Sequence, residues 1–331
     1  YTQARRNLDN VPSFESIVCD MEKLALEMKK VRNDELLRES IRLHQMGRLE
    51  TLHESASQNL FNWIWTSELW QNTDIGQANQ FIFSEHISGD DKAIFISAVT
   101  LSLFEFTDKA KLLFLLDCYL VDDDQISQRS LIGFLLAFYI NFEEIKTCSD
   151  IENRLSIYRD DALFLHDVYA VMMQLQMSCT TDSVSSKIRN DIMPVLMRGA
   201  MSKRTPEQNF DANEWMKNGE NPEWMVNENM NKKMHEMADL QLEGADVYYA
   251  SFATLKGYSF FNQIPHWFYP FSFESIHTPE LKKILNGNTG KFIKLMLNGS
   301  PFCNSDKYSL CFTFSNLGQM GEAAIEAQVS S

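Results

Sequence analysis

The run Gly287-Asn288-Thr289-Gly290-Lys291 approaches the pattern of a phosphate-binding loop. Such a loop needs a glycine five residues before its second glycine, and a Ser or Thr after the lysine to bind magnesium. Those two positions are occupied by Leu285 and Phe292. We therefore interpret the run as a two-glycine turn between short helices, and we predict no nucleotide or other cofactor.

The histidines and cysteines do not have the spacing of metal ligands. No two of the seven histidines lie at the i, i+4 spacing that places two imidazoles on one helix face, and none lies beside a cysteine cluster. We predict no metal site, and we interpret His166 as a hydrogen-bonded histidine at a helix edge. Cys19 and Cys118 adjoin apolar residues and are predicted to fill the core. Six cysteines in 331 residues favour a reducing compartment, so we expect a cytoplasmic protein.

Three consecutive carboxylates, at Asp122, Asp123 and Asp124, resemble part of a cation site. They lack the alternating ligands, the glycine and the terminal glutamate of a calcium loop. They directly precede an apolar segment, where an acidic side chain caps a helix and opposes the positive end of its dipole. We interpret them as a helix cap. Carboxylate spacing elsewhere singles out no pair, so no catalytic residue is predicted.

The densest aromatic segment runs from Tyr258 to Phe273, with eight rings in sixteen residues. Pro265 and Pro270 prevent a regular helix through it. The rings could form a groove for a peptide or a platform for a sugar, or they could cover the end of a helical stack. The interpretation that the rings cover the end of the stack is favoured, because large exposed apolar patches are uncommon on monomers. The candidate binding surface consists of Tyr258, Phe260, Phe261, Trp267, Phe268 and Tyr269.

The chain carries 30 Lys and Arg against 45 Asp and Glu, a formal charge of −15. That sign is wrong for a surface that neutralises phosphates, so binding to nucleic acid or to an anionic membrane is disfavoured. No stretch approaches the roughly 18 apolar residues of a membrane span. The first residue is Tyr1, which suggests a fragment or a processed form, and no signal-peptide pattern follows it.

The elements that must position these residues are helices. From Phe14 to Val31 apolar residues recur in steps of three and four, which predicts an amphipathic helix capped by Ser13. A second helix is predicted from Asn33 to about Met46, with a break at Gly47 and a further helical stretch after it.

The centre of the chain repeats a unit of helix, short turn and helix. Helices are predicted from Lys92 to Phe106, from Asp108 through Tyr119, from Gln125 to Ile140 and from about Ile151 to Met177. Acidic residues stand at the first three junctions, and such short connections favour antiparallel neighbours. The first of these helices is apolar over most of its circumference, so it must be buried between neighbours, as in stacked helical pairs.

The segment Asp123-Asp124-Gln125-Ile126-Ser127-Gln128-Arg129-Ser130-Leu131-Ile132-Gly133 resembles the acidic turn and early arginine of HEAT-like repeats. The resemblance covers roughly residues 88 to 178 and departs from the pattern at Ile132, where a small residue is usual. More broadly, the chain is similar to bacterial helical-repeat proteins. The resemblance implies a fold and no particular activity.

After Cys179 the composition changes. Residues 180 to 233 are polar and interrupted by proline, which predicts a loop-rich junction that Trp215 and Trp224 tie to the helices. Helices are predicted again from about Asn229, after Thr278, over Lys291 to Leu297 and from Ser305, with a frayed tail after Gly318.

The predicted fold is all-α: antiparallel helices stacked as a HEAT-like α-α superhelix, with a loop-rich junction and a helical C-terminal region. The predicted regions are 1–87, 88–178 and 179–331. The leading hypothesis is a non-enzymatic protein-interaction or scaffold module whose partner protein or peptide carries basic patches. The alternative is a helical-barrel carbohydrate hydrolase with paired carboxylates in an aromatic cleft. A segment of a larger regulatory protein is a third possibility.

Overall fold

The computed structural model describes residues 12–195, 228–273, 281, 285, 290–300 and 302–329. Within these ranges every regular element is helical, which confirms the all-α prediction. The α-helices are α1 Phe14–Asn33, α2 Glu39–Trp65, α3 Asn72–Phe83, α4 Gly89–Glu105, α5 Lys109–Cys118, α6 Asp124–Ile140, α7 Phe142–Ile145, α8 Ser149–Ile157, α9 Ala162–Ser178, α10 Thr181–Lys187, α11 Glu228–Leu242, α12 Tyr249–Phe252, α13 Gly290–Leu297 and α14 Asn304–Val329. A π-helical turn, Ile188–Ile192, follows α10.

Polar side chains set where several helices begin. The Ser13 and Ser88 hydroxyls accept hydrogen bonds from backbone N–H groups in the first turns of α1 and α4. The Asp108, Asp123 and Asp161 carboxylates do the same for α5, α6 and α9. Each cap satisfies N–H groups that have no partner within the helix. The interpretation of the acidic triplet as a cap is therefore confirmed at Asp123.

Helices α2, α4 and α6 lie side by side, and α4 is the middle one. Helix α1 packs on α2, and α5 packs behind α4 and α6. Every side chain from Ala93 to Ile96 is fully buried, as the apolar circumference of α4 predicts. Helices α4 and α6 approach closely at Gly133, where an added Cβ would lie 2.1 Å from Thr100 Oγ1. The small residue that permits this approach is thus Gly133, one position after Ile132.

Several predicted boundaries were wrong. Helix α2 continues through Gly47, because a glycine inside a long helix costs only about 1 kcal/mol and packing offsets it. The long helix predicted from Ile151 is divided at Tyr158, where α8 ends and a turn leads to the Asp161 cap of α9. Cys19 is exposed rather than part of the core, whereas Cys118 is buried as predicted.

The region after α9 combines a small second core with irregular helices. Val184, Ile188, Ile192, Ala245 and Val247 form that core. Most of the predicted junction, including Trp215 and Trp224, and the predicted helix start at Thr278 lie outside the described residues. The predicted fraying after Gly318 was wrong for the backbone, because α14 extends to Val329.

The aromatic segment folds into two short 3-10 helices, Ser259–Asn262 and Ile264–Phe268. Pro265 stands in the first turn of the second one, where its missing N–H needs no partner. The main hydrophobic cluster includes side chains from Phe14 to Cys311, so the three predicted regions contribute to one core. Among the described residues no helix is both long and apolar enough to cross a membrane.

Candidate functional site

The structure brings the six residues of the predicted binding surface together and turns most of them inward. Tyr269 is fully buried and Phe261 nearly so, while Trp267 is 41% exposed. The Phe268 ring lies 5.7 Å from the ring of Phe61 on α2. The indole Nε1 of Trp267 donates a hydrogen bond to the Phe261 carbonyl oxygen at 2.9 Å. The segment therefore packs on the helical layer, with Trp267 as its exposed ring.

Arg129 of α6 fastens this segment to the helices. Its Nη1 donates hydrogen bonds to the Phe268 carbonyl oxygen at 2.7 Å and to Ser97 Oγ of α4 at 2.8 Å. Burial lowers the pKa of Arg129 to about 10, and the nearby Asp90 carboxylate opposes that shift. The guanidinium remains charged at neutral pH, so its hydrogen bonds to α4 and to the segment are charge-assisted. They connect α6 to both.

His266 forms a second attachment, to α2. Its Nδ1 lies 2.6 Å from the Phe260 carbonyl oxygen, and its Nε2 lies 3.0 Å from Gln58 Nε2. These distances fit the tautomer with a proton on Nδ1, which donates to the carbonyl while Nε2 accepts from the Gln58 amide. Glu54 Oε1 lies 3.4 Å from the same Nε2. A buried histidine is thus held between the segment and one turn of α2.

A buried pair, His53 of α2 and Asp91 of α4, lies near this interface. His53 Nε2 is 3.1 Å from Asp91 Oδ2, and the Ser88 hydroxyl donates to the same oxygen at 2.6 Å. Burial alone would lower the pKa of His53, but the Asp91 charge and hydrogen bond outweigh burial and raise it. Burial, with the Asp91 charge, also raises the pKa of Asp90 to about 6.

Serine, histidine and aspartate are thus close together, but their order differs from a catalytic triad. In a triad the histidine lies between the other two and accepts the serine proton. Here Asp91 lies between Ser88 and His53, so the histidine does not activate the serine. The Ser88 side chain caps α4, and the contact between His53 and Asp91 joins α4 to α2. A cavity of about 400 Å³, lined on its other side by α1, adjoins the pair.

A different surface lies on α9. The Phe164 side chain is buried, and its ring stacks on the ring of Tyr158 with the two ring centroids 4.5 Å apart. A second apolar face is open to solvent, and we name it the α9 stripe. Its members recur at helical spacing. They are Leu165, Tyr169, Met172 and Met173, whose side chains are 50%, 65%, 53% and 37% exposed, respectively.

An apolar groove, which we name the α8 groove, continues from the α9 stripe. It has a volume of about 390 Å³, and its apolar lining is Phe138, Phe142, Ile145, Ile151, Leu155 and Leu165. Leu165 belongs to both features, so groove and stripe form one continuous apolar surface. The charged side chains that also line the groove are Lys146, Arg159 and Glu152.

The sequence predicted a helix through α9 but not its open face. The signal for the second face was present, because apolar residues occupy positions 165, 169, 172 and 173 as well as 164, 168, 171 and 175. A helix that is apolar over so wide an arc needs two neighbours. The pattern does not say whether the second neighbour lies within the chain.

Among the described residues, no cluster of three or more His, Cys, Asp or Glu side chains could hold a metal ion. The fold and site define an all-α protein with an open apolar surface at α8 and α9. No protein family, curated protein or solved structure matches this chain.

Proposed function

We propose that the protein is a non-enzymatic interaction module that binds a partner protein on the α9 stripe and the α8 groove. The observation that carries this proposal is the exposure of the stripe. Tyr169 is 65% exposed and Met172 is 53% exposed, on a helix whose neighbouring face, at Phe164, is buried. The solvent-facing side of a helix is normally polar. Helix α9 is apolar there, as expected of an interaction surface.

The stripe also has the composition of a binding surface. Aromatic and methionine side chains are enriched at interfaces, and methionine adapts its shape to the side chain that it meets. The α8 groove adds a concave site beside the stripe, into which a partner can insert an anchoring side chain. We further propose that the stacked layers form a HEAT-like superhelix and that the protein acts in the cytoplasm.

Photo-crosslinking tests the proposal. A benzophenone amino acid replaces Tyr169 in the full chain, and a matched chain carries it at Leu36, which is 97% exposed in the turn between α1 and α2. Adducts formed in cells are identified, and the partner is then purified. We expect the purified partner to bind the unmodified chain and Leu36→Glu with equal affinity, and to bind Tyr169→Glu at least about tenfold more weakly.

Three results would contradict the proposal. The first is an absence of adducts at position 169, or equal yields at both positions. The second is an adduct that consists only of a second copy of this chain, since the surface would then serve self-association. The third is a purified partner whose affinity Tyr169→Glu leaves unchanged.

Carbohydrate hydrolysis is a second candidate, favoured by one observation. The pKa of Asp90 is raised to about 6 beside the carboxylate of Asp91, and a raised carboxyl pKa is typical of a general acid. Against it, Asp91 is only 1% exposed and is held by Ser88 and His53. A panel of chromogenic glycosides tests it: hydrolysis that Asp90→Asn abolishes would support the candidate, and no hydrolysis would end it.

A further inference from the structure

Asn298 and Gly299 form an exposed turn at the end of α13. The helix ends at Leu297, and Gly299 has a φ of 70°, in the left-handed region that glycine adopts without steric cost. A Cβ added at Gly299 would meet no atom within 4 Å beyond its own chain neighbours. Both residues of the turn are exposed, so water and solvent base reach them freely.

Hydrogen bonds flank this turn but do not hold its two reactive groups. The Asn298 N–H donates to the Lys294 carbonyl oxygen at 3.0 Å, and the Ser300 N–H donates to that of Leu297 at 3.3 Å. Within the described ranges, the Gly299 N–H has no acceptor and the Asn298 carboxamide has no hydrogen-bond partner. The two groups can therefore approach each other without breaking an existing contact.

An asparagine that precedes a glycine has a nucleophile beside its own side chain. The backbone nitrogen of the next residue can attack the asparagine Cγ, and an intramolecular attack avoids the entropic cost of bringing two molecules together. A side chain on that next residue crowds the approach, whereas glycine has none. The Asn298-Gly299 turn thus combines an unhindered nucleophile with a carboxamide that is free to meet it.

We infer that Asn298 is a site of spontaneous deamidation. The Gly299 nitrogen loses its proton and forms a bond to Asn298 Cγ, the bond from Cγ to Nδ2 breaks, and Nδ2 leaves as ammonia with that proton. Water then opens the cyclic imide that remains. Attack at Cγ gives aspartate, and attack at the backbone carbonyl carbon gives isoaspartate, in which the backbone runs through the side chain. One water is consumed and one ammonia is released.

The modification places a negative charge at an unfavourable end of α13. A carboxylate beside the last turn of a helix faces the negative end of the helix dipole. Helix α13 packs on α14 and contributes Ile293 and Leu297 to the main hydrophobic cluster. Deamidation at Asn298 therefore weakens the helix that holds these two side chains in the core, and the site is separate from the α9 stripe of the proposed function.

Peptide mapping by mass spectrometry tests the inference on the full chain. The purified protein is aged in neutral buffer at physiological temperature, and the deamidated fraction at each asparagine is followed with time. An isoaspartyl methyltransferase assay quantifies the isoaspartate product. Mapping also separates Asn298 from two other Asn-Gly pairs, at Asn218 and Asn286, which lie outside the described residues.

Two asparagines and one peptide serve as controls. Asn141 makes three side-chain hydrogen bonds within the helical stack, so its carboxamide is held. Asn262 is exposed like Asn298, but a glutamine follows it. A synthetic peptide of residues 293–303 contains the Asn298-Gly299 pair and is too short to form a stable helix, so it reports the rate without the fold.

We expect deamidation at Asn298 to be at least about tenfold faster than at Asn141 and Asn262, and within about tenfold of the rate in the peptide. The rate should rise with pH, because the Gly299 nitrogen attacks only after it loses its proton. Asn298→Asp, which mimics one product, should unfold at a lower temperature than the uncharged Asn298→Gln.

Either of two results would overturn the inference. One is a rate at Asn298 that does not exceed the rates at the two control asparagines. The other is a rate more than about tenfold below that of the peptide, since the folded turn would then protect the carboxamide instead of leaving it free. Equal unfolding temperatures for Asn298→Asp and Asn298→Gln would contradict the stated effect on α13.

Discussion

Two apolar surfaces of the helical stack differ in their exposure to solvent. The layer of α2, α4 and α6 is covered by the aromatic segment, through Phe268 against Phe61 and Arg129 to the Phe268 carbonyl. The α9 stripe has comparable apolar character and remains exposed. The comparison shows that apolar sequence alone does not distinguish a surface that the chain covers from one that it leaves for a partner.

The largest expected effect on stability comes from a mutation in the covered surface. Phe61 is fully buried between α2 and the aromatic segment, so Phe61→Ala leaves a cavity, and we expect a loss of about 4 kcal/mol in the free energy of unfolding. Phe83→Ala is the matched control, because that ring is 69% exposed. Urea denaturation followed by circular dichroism measures both. Equal losses for the two variants would show that the segment does not protect Phe61.

The next effect tests the attachment of the segment. Arg129→Ala removes the charge-assisted hydrogen bonds to Ser97 and Phe268, and we expect a loss of about 2 kcal/mol in the free energy of unfolding. The exposed Arg48→Ala serves as the control. Tryptophan emission of the chain should also change in Arg129→Ala, because Trp267 is one of its six tryptophans and lies in the segment. A loss within about 0.5 kcal/mol of the control would contradict the proposed attachment.

The pH dependence of stability tests two titratable groups near that attachment, the half-buried Asp90 and the buried His53. The folded pKa of Asp90 is raised from 3.8 to about 6, so the folded state holds a proton that the unfolded state releases between those values. His53 has the same sign, since its pKa is raised above 6.5. Both contributions are present at low pH and are lost as pH rises through the folded pKa values.

We therefore expect Asp90→Asn to reduce the fall in stability from about pH 4 to about pH 7, by on the order of 1 kcal/mol. The exposed Asp122→Asn is the control. Chemical denaturation at a series of pH values measures the change. A pH profile that Asp90→Asn leaves unaltered would contradict the raised pKa.

The smallest expected effect on stability lies on the open surface. Tyr169→Glu should change the free energy of unfolding by no more than about 0.5 kcal/mol, because 65% of the side chain is already exposed. Thermal unfolding beside the unmodified chain measures this. A loss near that of Phe61→Ala would mean that Tyr169 supports the fold, and the comparison between the two surfaces would fail.

Much of the fold followed from local pattern. The caps at Ser13, Asp108 and Asp123 and the burial of α4 were predictable, because capping and helical periodicity depend on residues within one or two turns. The break at Gly47 was predicted wrongly, since α2 as a whole packs on α1 and α4 and such contacts override the helix propensity of one glycine. The three-part division, the HEAT-like arrangement and the aromatic binding surface stay predictions.

The candidate site was less predictable for a physical reason. The His53–Asp91 pair joins residues 38 positions apart, and His266 meets Gln58 across 208 positions. No local spacing encodes such contacts. The α9 stripe was visible as apolar positions, but its exposure depends on which helices fold against it.

The amino-acid sequence by itself determined that the chain is helical, where most helices begin and which of them must be buried, because hydrogen bonding within a helix and its apolar periodicity are local. Only the tertiary structure decided that the aromatic segment covers α2, α4 and α6 while the α9 stripe stays open. Burial depends on contacts between residues far apart in the chain, and the same leucine, tyrosine or methionine packs equally well against its own chain or a partner.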